Sequence, residues 1–92
     1  MSDIITLLST VLDLRKRGNT CNIPQCEKMP VKEMVLIEHD KLKQRKREIA
    51  TVYFCSDHCD KKPDEIVRRA NVVAGKGKII DKKVFDIGYI TY

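Results

Sequence analysis

Thr51-Val52-Tyr53-Phe54-Cys55-Ser56-Asp57-His58-Cys59 is the stretch on which the fold turns. Thr51 to Phe54 are β-branched or aromatic, the residue types that suit a pleated, half-buried strand. Ser56 can then cap a short helix carrying Cys59. A strand thus delivers one thiol and a helix start the next, where thiolates gain from the positive end of the helix dipole.

A second cysteine pair lies far upstream in Cys21-Asn22-Ile23-Pro24-Gln25-Cys26. Pro24 presets one backbone angle, so this hexapeptide should be a tight turn whose flanking thiols converge on one point. Two close pairs brought together from distant segments are what a tetrahedral site needs, and four thiolates suit zinc. The expected site is one structural zinc ion held by Cys21, Cys26, Cys55 and Cys59. Cys55-x-x-His58 is also an acceptable ligand pair, and His39 lies at a predicted strand end; Cys59 is preferred because a fourth thiolate completes the symmetry of two Cys pairs. Either histidine can instead hydrogen-bond to a ligand sulfur.

The order of knuckle, hairpin and ligand-bearing helix start resembles the treble-clef zinc modules. Tyr53-Phe54-Cys55-Ser56 followed by Cys59 is similar to the ending of TRASH-type and MYM-type zinc fingers, where an aromatic strand runs into a Cys-Ser helix cap. The resemblance covers Cys21 to about Lys62. It implies a treble-clef-like fold and associations with metal sensing, transcription-related complexes and protein contacts.

At 92 residues the chain has room for one modest core. A chain this short usually needs a disulfide, a metal or a partner subunit as well. The N-terminus shows no secretory signal pattern, and the apolar-rich stretch Ile4 to Leu14 is interrupted by Thr6, Ser9, Thr10 and Asp13. That stretch is far below the roughly 20 residues that cross a bilayer. The expected location is intracellular, cytoplasmic or in the nucleoid or nucleus, with no membrane partner; there paired cysteines bind metal more often than they form disulfides.

The expected architecture is α+β, a single domain over 1–92. Asp3 to Arg17 should be helical, because Ile4, Ile5, Leu7, Leu8, Val11, Leu12 and Leu14 fall in one half of a helical wheel. Ser2 or Asp3 can cap its start, Arg15, Lys16 and Arg17 suit its negative end, and Gly18 stops it. So wide an apolar face must be covered by the zinc module at 21–62 or by a second copy of the chain, so a protein partner or homodimer through this helix is one expectation. Met34 to Glu38 and Ile49 to Phe54 predict a hairpin with a long polar tip, Asp40 to Arg47. A break near Lys62 precedes a helix over 63–74, started by Pro63, Asp64 and Glu65 and ended by Gly75. Residues 78–92 have strand composition, with Asp81-Lys82-Lys83 as a turn, and either form a second hairpin or add to the first.

The formal charge is +5 with neutral thiols. Four lost protons and one gained divalent ion lower it to roughly +3 in the metal-loaded form. Its sharpest concentration is Lys41, Lys43, Arg45, Lys46 and Arg47 at the hairpin tip, which can reach along a phosphate backbone. Gly75-Lys76-Gly77-Lys78 and Lys82-Lys83 are further basic stretches, without the pattern of a Walker loop. The expected function is a nucleic-acid-binding (DNA or RNA) or transcription-associated module, with a protein-interaction adaptor as the alternative. No enzymatic role is expected, since sites with four cysteine ligands lack the open position that catalysis requires.

Overall fold

The computed structural model describes residues 3–16 and 19–88. Helix α1 spans Asp3–Val11, a 3₁₀ turn covers Leu14–Lys16, β1 runs Lys32–Asp40, β2 Arg45–Phe54, α2 Lys62–Val73 and β3 Lys78–Asp86. The three strands form one sheet in the order β2-β1-β3, with β1 antiparallel to both neighbours. The molecule is thus a small α+β fold.

Cross-strand partners share a face. Met34 opposes Val52 and Val84, Leu36 opposes Ala50 and Lys82, and Glu38 opposes Arg47 and Ile80. This is the helix side of the sheet, where Met34, Leu36, Val52, Phe54 and Ile80 form the core with Ile4, Leu8 and Leu12 of the N-terminal segment and Ile66 and Ala70 of α2. The apolar stripe of α1 is therefore covered by the chain itself, leaving Ile5 partly exposed. On the outer side, Val35 and Ile37 are shielded in the central strand, whereas Ile79 and Phe85 remain exposed.

α1 is shorter than the expected 3–17. Leu12 still donates to the Leu8 carbonyl, but the Asp13 amide turns away to the carbonyl of Asn22, and the Asp13 carboxylate accepts from the Arg15 amide at 3.2 Å. An aspartate that offers the backbone a local alternative bond ends a helix there. The Ser2 cap, Arg17 and the Gly18 stop lie outside the described residues.

The hairpin tip is shorter than the expected Asp40 to Arg47. The strands continue to Asp40 and resume at Arg45, leaving Lys41 to Gln44 as the turn. Asp40 Oδ1 accepts from the amides of Leu42 and Lys43, at 3.1 and 3.2 Å, and Gln44 takes the positive φ of 52° that closes the turn. One extra residue on β2, Ile49, makes a bulge between the Leu36 and Ile37 pairs.

The expected turn at Asp81-Lys82-Lys83 is absent, because these residues lie within the single strand β3. β3 adds to the first hairpin on the far side of β1, and the Ile87 amide continues the ladder to the Val31 carbonyl. Tyr89 to Tyr92 lie outside the described residues. The short helix expected from Ser56 is also replaced: residues 56–61 are turns, and α2 begins at Lys62 with Pro63 in its first turn. Lys62 is where the break was expected.

Each edge strand is held by an asparagine. Buried Asn22 accepts from the Tyr53 amide through Oδ1 (2.7 Å), donates its own amide to the Tyr53 carbonyl (2.8 Å), and gives its side-chain N–H to the Asp13 carbonyl. Asn71 of α2 accepts from the Ile80 amide at 2.9 Å and donates to the Ile80 carbonyl at 3.0 Å. Among the described residues, no helix is long and apolar enough to cross a membrane.

Candidate metal centre

The knuckle and the end of β2 meet at one end of the hairpin. The Cys26 amide donates to the Ile23 carbonyl at 3.0 Å, closing the turn that Pro24 begins, and Gln25 completes it in the left-handed region at φ 66°. The Cys21 amide donates to the Lys28 carbonyl, and the Val31 amide to the Phe54 carbonyl. The two halves are thereby stitched together beside β2, and an exposed ion pair between Lys28 and Asp57 spans them.

Cys21, Cys26, Cys55 and His58 bring their donor atoms to within 4.8 Å of one another. Cys26 Sγ lies 3.8 Å from Cys55 Sγ, while His58 Nδ1 lies 3.6 Å from Cys21 Sγ and 3.2 Å from Cys55 Sγ. A disulfide needs its sulfurs at about 2.05 Å, so the 3.8 Å separation is not one, and all four cysteines are free thiols. For a tetrahedral ion with thiolates at about 2.3 Å and an imidazole nitrogen at about 2.1 Å, simple trigonometry puts two sulfurs about 3.8 Å apart and a sulfur about 3.6 Å from the nitrogen. The Cys26–Cys55 and Cys21–His58 separations match these values and Cys55–His58 is about 0.4 Å shorter, so the group could hold a metal ion.

The fourth member differs from the sequence expectation. The His58 amide donates to the Cys55 carbonyl at 3.1 Å, and this tight turn folds residue 58 back over residue 55. Cys59, one residue further on, lies outside the group; its Sγ faces the Ser56 carbonyl at 3.5 Å and Asp60 Oδ1 at 3.8 Å. With turns in place of a helix start, a spacing of three returns to the site and a spacing of four does not. His39 stands on the outer face of β1 opposite Lys46 and Ile79, remote from the cluster. With three thiolates and a neutral histidine, a divalent ion would bring the charge of +5 to roughly +4.

Burial acts most on Cys21 and Cys59, and a backbone amide most on Cys26. Cys21 is fully buried, which pushes its pKa up to about 11. Cys26 is lowered, chiefly because the Lys28 amide bonds its sulfur, with the Lys16 ammonium adding a smaller attraction. Cys59 is raised by burial and by the neighbouring Asp60 carboxylate.

Lys16 is the residue that sequence reading missed. Its ammonium donates to three knuckle carbonyls, Cys21 at 3.0 Å, Ile23 at 2.9 Å and Cys26 at 2.5 Å. An ammonium has three protons, and here each has a carbonyl. The 3₁₀ turn after α1 delivers this cation, so the N-terminal segment organises the backbone that presents Cys21 and Cys26. Its signal in the sequence was indistinguishable from that of a helix-ending lysine.

The basic residues gather at the opposite end of the hairpin. Lys41, Lys43, Arg45, Lys46 and Arg47 are all exposed. The Lys41 amide donates to the Gly77 carbonyl at 2.8 Å, which docks the Lys76-Gly77-Lys78 turn onto the tip. Gly77 has φ +78°, and a Cβ there would stand 2.9 Å from Leu42 Cγ, so glycine is required for this approach. Arg47 donates to buried Glu38 at 3.1 Å and is partly neutralised. Lys43, Arg45, Arg47 and Lys78 share one depression of about 160 Å³ with Glu38 and Asp40.

No family model, curated protein or solved structure matches the chain.

Proposed function

We propose that Cys21, Cys26, Cys55 and His58 hold one structural zinc ion, and that the domain so stabilised binds the phosphate backbone of nucleic acid with its opposite end. Four protein donors would complete the tetrahedron and leave no open position for substrate, so the role is binding rather than catalysis. The order of knuckle, hairpin and ligand-bearing turn supports a treble-clef reading of the zinc module.

The observation that carries the nucleic-acid reading is the joining of two basic segments distant in sequence. Lys41, Lys43, Arg45 and Lys46 from the hairpin and Lys76 and Lys78 from the turn before β3 share one end, fastened by the Lys41 to Gly77 bond. Cations concentrated on one rigid projection gain affinity by releasing counterions from a polyanion. Among the described residues no phenylalanine or tyrosine ring suited to stacking lies at this end, which favours contact with the backbone over reading of bases.

The test is a titration of the metal-loaded protein against duplex and single-stranded DNA and RNA at several salt concentrations. Replacing Lys41, Lys43, Arg45 and Lys46 together by Gln should leave metal content unchanged. Binding should weaken for every sequence, and the slope of log affinity against log salt should flatten by up to about one unit for each phosphate no longer neutralised. Arg47 is kept, because its removal would strand Glu38. Wild-type protein without nucleic-acid affinity at low salt would end this reading and turn attention to an acidic protein surface as the partner.

A further inference from the structure

The two edges of the sheet are not equally closed. Backbone groups along an antiparallel strand point alternately toward and away from the neighbouring strand. On β3, Ile80 faces outward, since Asn71 binds both its amide and its carbonyl, while Ile87 faces β1 and Val31. Lys82, Val84 and Asp86 therefore also face outward. The Lys82 amide is taken by Asp81 Oδ1 at 2.8 Å. The Lys82 carbonyl and both backbone groups of Val84 and Asp86 have no partner among the described residues. β2 in contrast carries the bulge at Ile49 and the Asn22 clasp at Tyr53, both of which hinder strand addition. The second half of β3 is regular, with Val84 39% and Phe85 50% exposed.

We propose that this half-edge is a homodimer interface, in which β3 of a second copy pairs antiparallel about a two-fold axis at Val84. That register sets Val84 against its own copy and Lys82 against Asp86 of the other chain, twice. A shift that centred the axis on Lys82 or on Asp86 would instead place like charges directly opposite, which is unfavourable. Pairing further toward the start of β3 is blocked where Asn71 occupies Ile80. An axis at Lys83 would set two lysines opposite, and one at Phe85 would leave Lys82 facing Gly88 and Asp86 facing Val84, so the Val84 register alone pairs opposite charges; in it Val84 exchanges two bonds with its copy and each Asp86 amide meets a Lys82 carbonyl. The result is a six-stranded sheet with the two basic ends pointing in opposite directions.

Sedimentation of the metal-loaded protein over a range of concentrations tests this, alongside amide exchange at Val84. The wild type should show a concentration-dependent dimer and protection of the Val84 amide that grows with it. Val84→Pro removes an amide that bonds none of the described residues, a position where an edge strand accepts proline, and should abolish the dimer while leaving metal binding unchanged. Lys82→Glu should weaken the dimer at least tenfold, and Lys82→Glu/Asp86→Lys should restore it. This double variant restores neither of the exposed pairs Lys82–Asp64 and Lys32–Asp86 within one chain, so rescue reports the contact between copies. A monomer at every concentration overturns the proposal, as does a dimer indifferent to these substitutions. Neither result bears on nucleic-acid binding, which is read separately.

Discussion

The two ends of the hairpin solve opposite problems. At the end where Cys21, Cys26, Cys55 and His58 meet, the chain gathers thiols and an imidazole, buries Cys21 and Cys55, and satisfies three knuckle carbonyls with hydrogen bonds from the Lys16 ammonium. At the other, about 26 Å away along the eight residue steps of β1, it gathers cations and leaves them in water. On the proposed function, the first end would convert metal-binding energy into folding and the second would offer its cations to a polyanion. That reading puts stability and affinity on different residues, so each should be changeable without the other.

The sharpest way to break that division is at the metal end. Chelation, or Ser in place of Cys21, Cys26 or Cys55, should abolish the cooperative unfolding transition, because binding energy for such an ion is folding energy. His58→Ala should behave as a ligand loss, whereas Cys59→Ser should stay within about 1 kcal/mol of wild type, as changes away from such features do. Metal content and denaturant titration of the variants read both outcomes. If Cys59→Ser unfolds the protein and His58→Ala does not, the site is built as the sequence symmetry suggested.

Acidity should act on the same end. The proton on Cys21, held up to about pH 11 by burial, must leave before metal binds, so affinity rises with pH through the neutral range and metal is released on acidification. Each thiol that must give up its proton adds about one to the slope of log affinity against pH, and Cys26, lowered by the Lys28 amide, should stop contributing before Cys21 does. Competition with a chromogenic chelator from about pH 6 to about pH 9, where protons compete with metal for the Cys21 sulfur, measures this. A pH-independent affinity would contradict thiolate ligation.

Lys16→Met should cost about 2–3 kcal/mol and speed metal loss, since it removes charged hydrogen bonds to three carbonyls that face inward. The rate of zinc transfer to a chelator reads the second effect, which a purely remote destabilisation would leave unchanged under native conditions. At the basic end the expected effects are smaller and uneven. Arg47→Met should cost about 1–3 kcal/mol because it leaves buried Glu38 without its partner, while Arg45→Met should fall within about 0.5 kcal/mol. Equal costs for the two arginines would mean that the ends are not separated as described. An effect of opposite sign is expected at Gln25, where φ 66° is tolerated more readily by glycine. Gln25→Gly should stabilise the metal-loaded protein by up to about 1 kcal/mol, measured by thermal melting.

Much of this was legible before the structure. Cysteine pairs, the apolar stripe of α1 and the proline at the start of α2 are local signals, each read from a few neighbouring residues. The strands of the hairpin were found at their apolar parts and missed at their charged ones, because exposed strand positions such as Lys46 and Glu48 place no demand on composition. Asp81-Lys82-Lys83 was misread for the same reason: on an edge strand, charges can sit on either face. His58 and Cys59 both lie within reach of Cys55 in sequence, and what separates them is a turn whose bond, from the His58 amide to the Cys55 carbonyl, no composition rule predicts. The role of Lys16 depends on three carbonyls that converge only once the knuckle is folded.

The bulge at Ile49 has one more consequence. Counted without that extra residue, the strands beyond Leu36 would pair one step differently, and Glu38 would oppose Glu48 rather than Arg47. Ile49 acts as an offset in the ladder's arithmetic, turning a clash of two acids into the ion pair at 3.1 Å. It also decides which cations look which way, with Arg45 and Arg47 on the helix side and Lys46 behind them. A chain that lost this single count would keep every basic residue it has and present them in a different order.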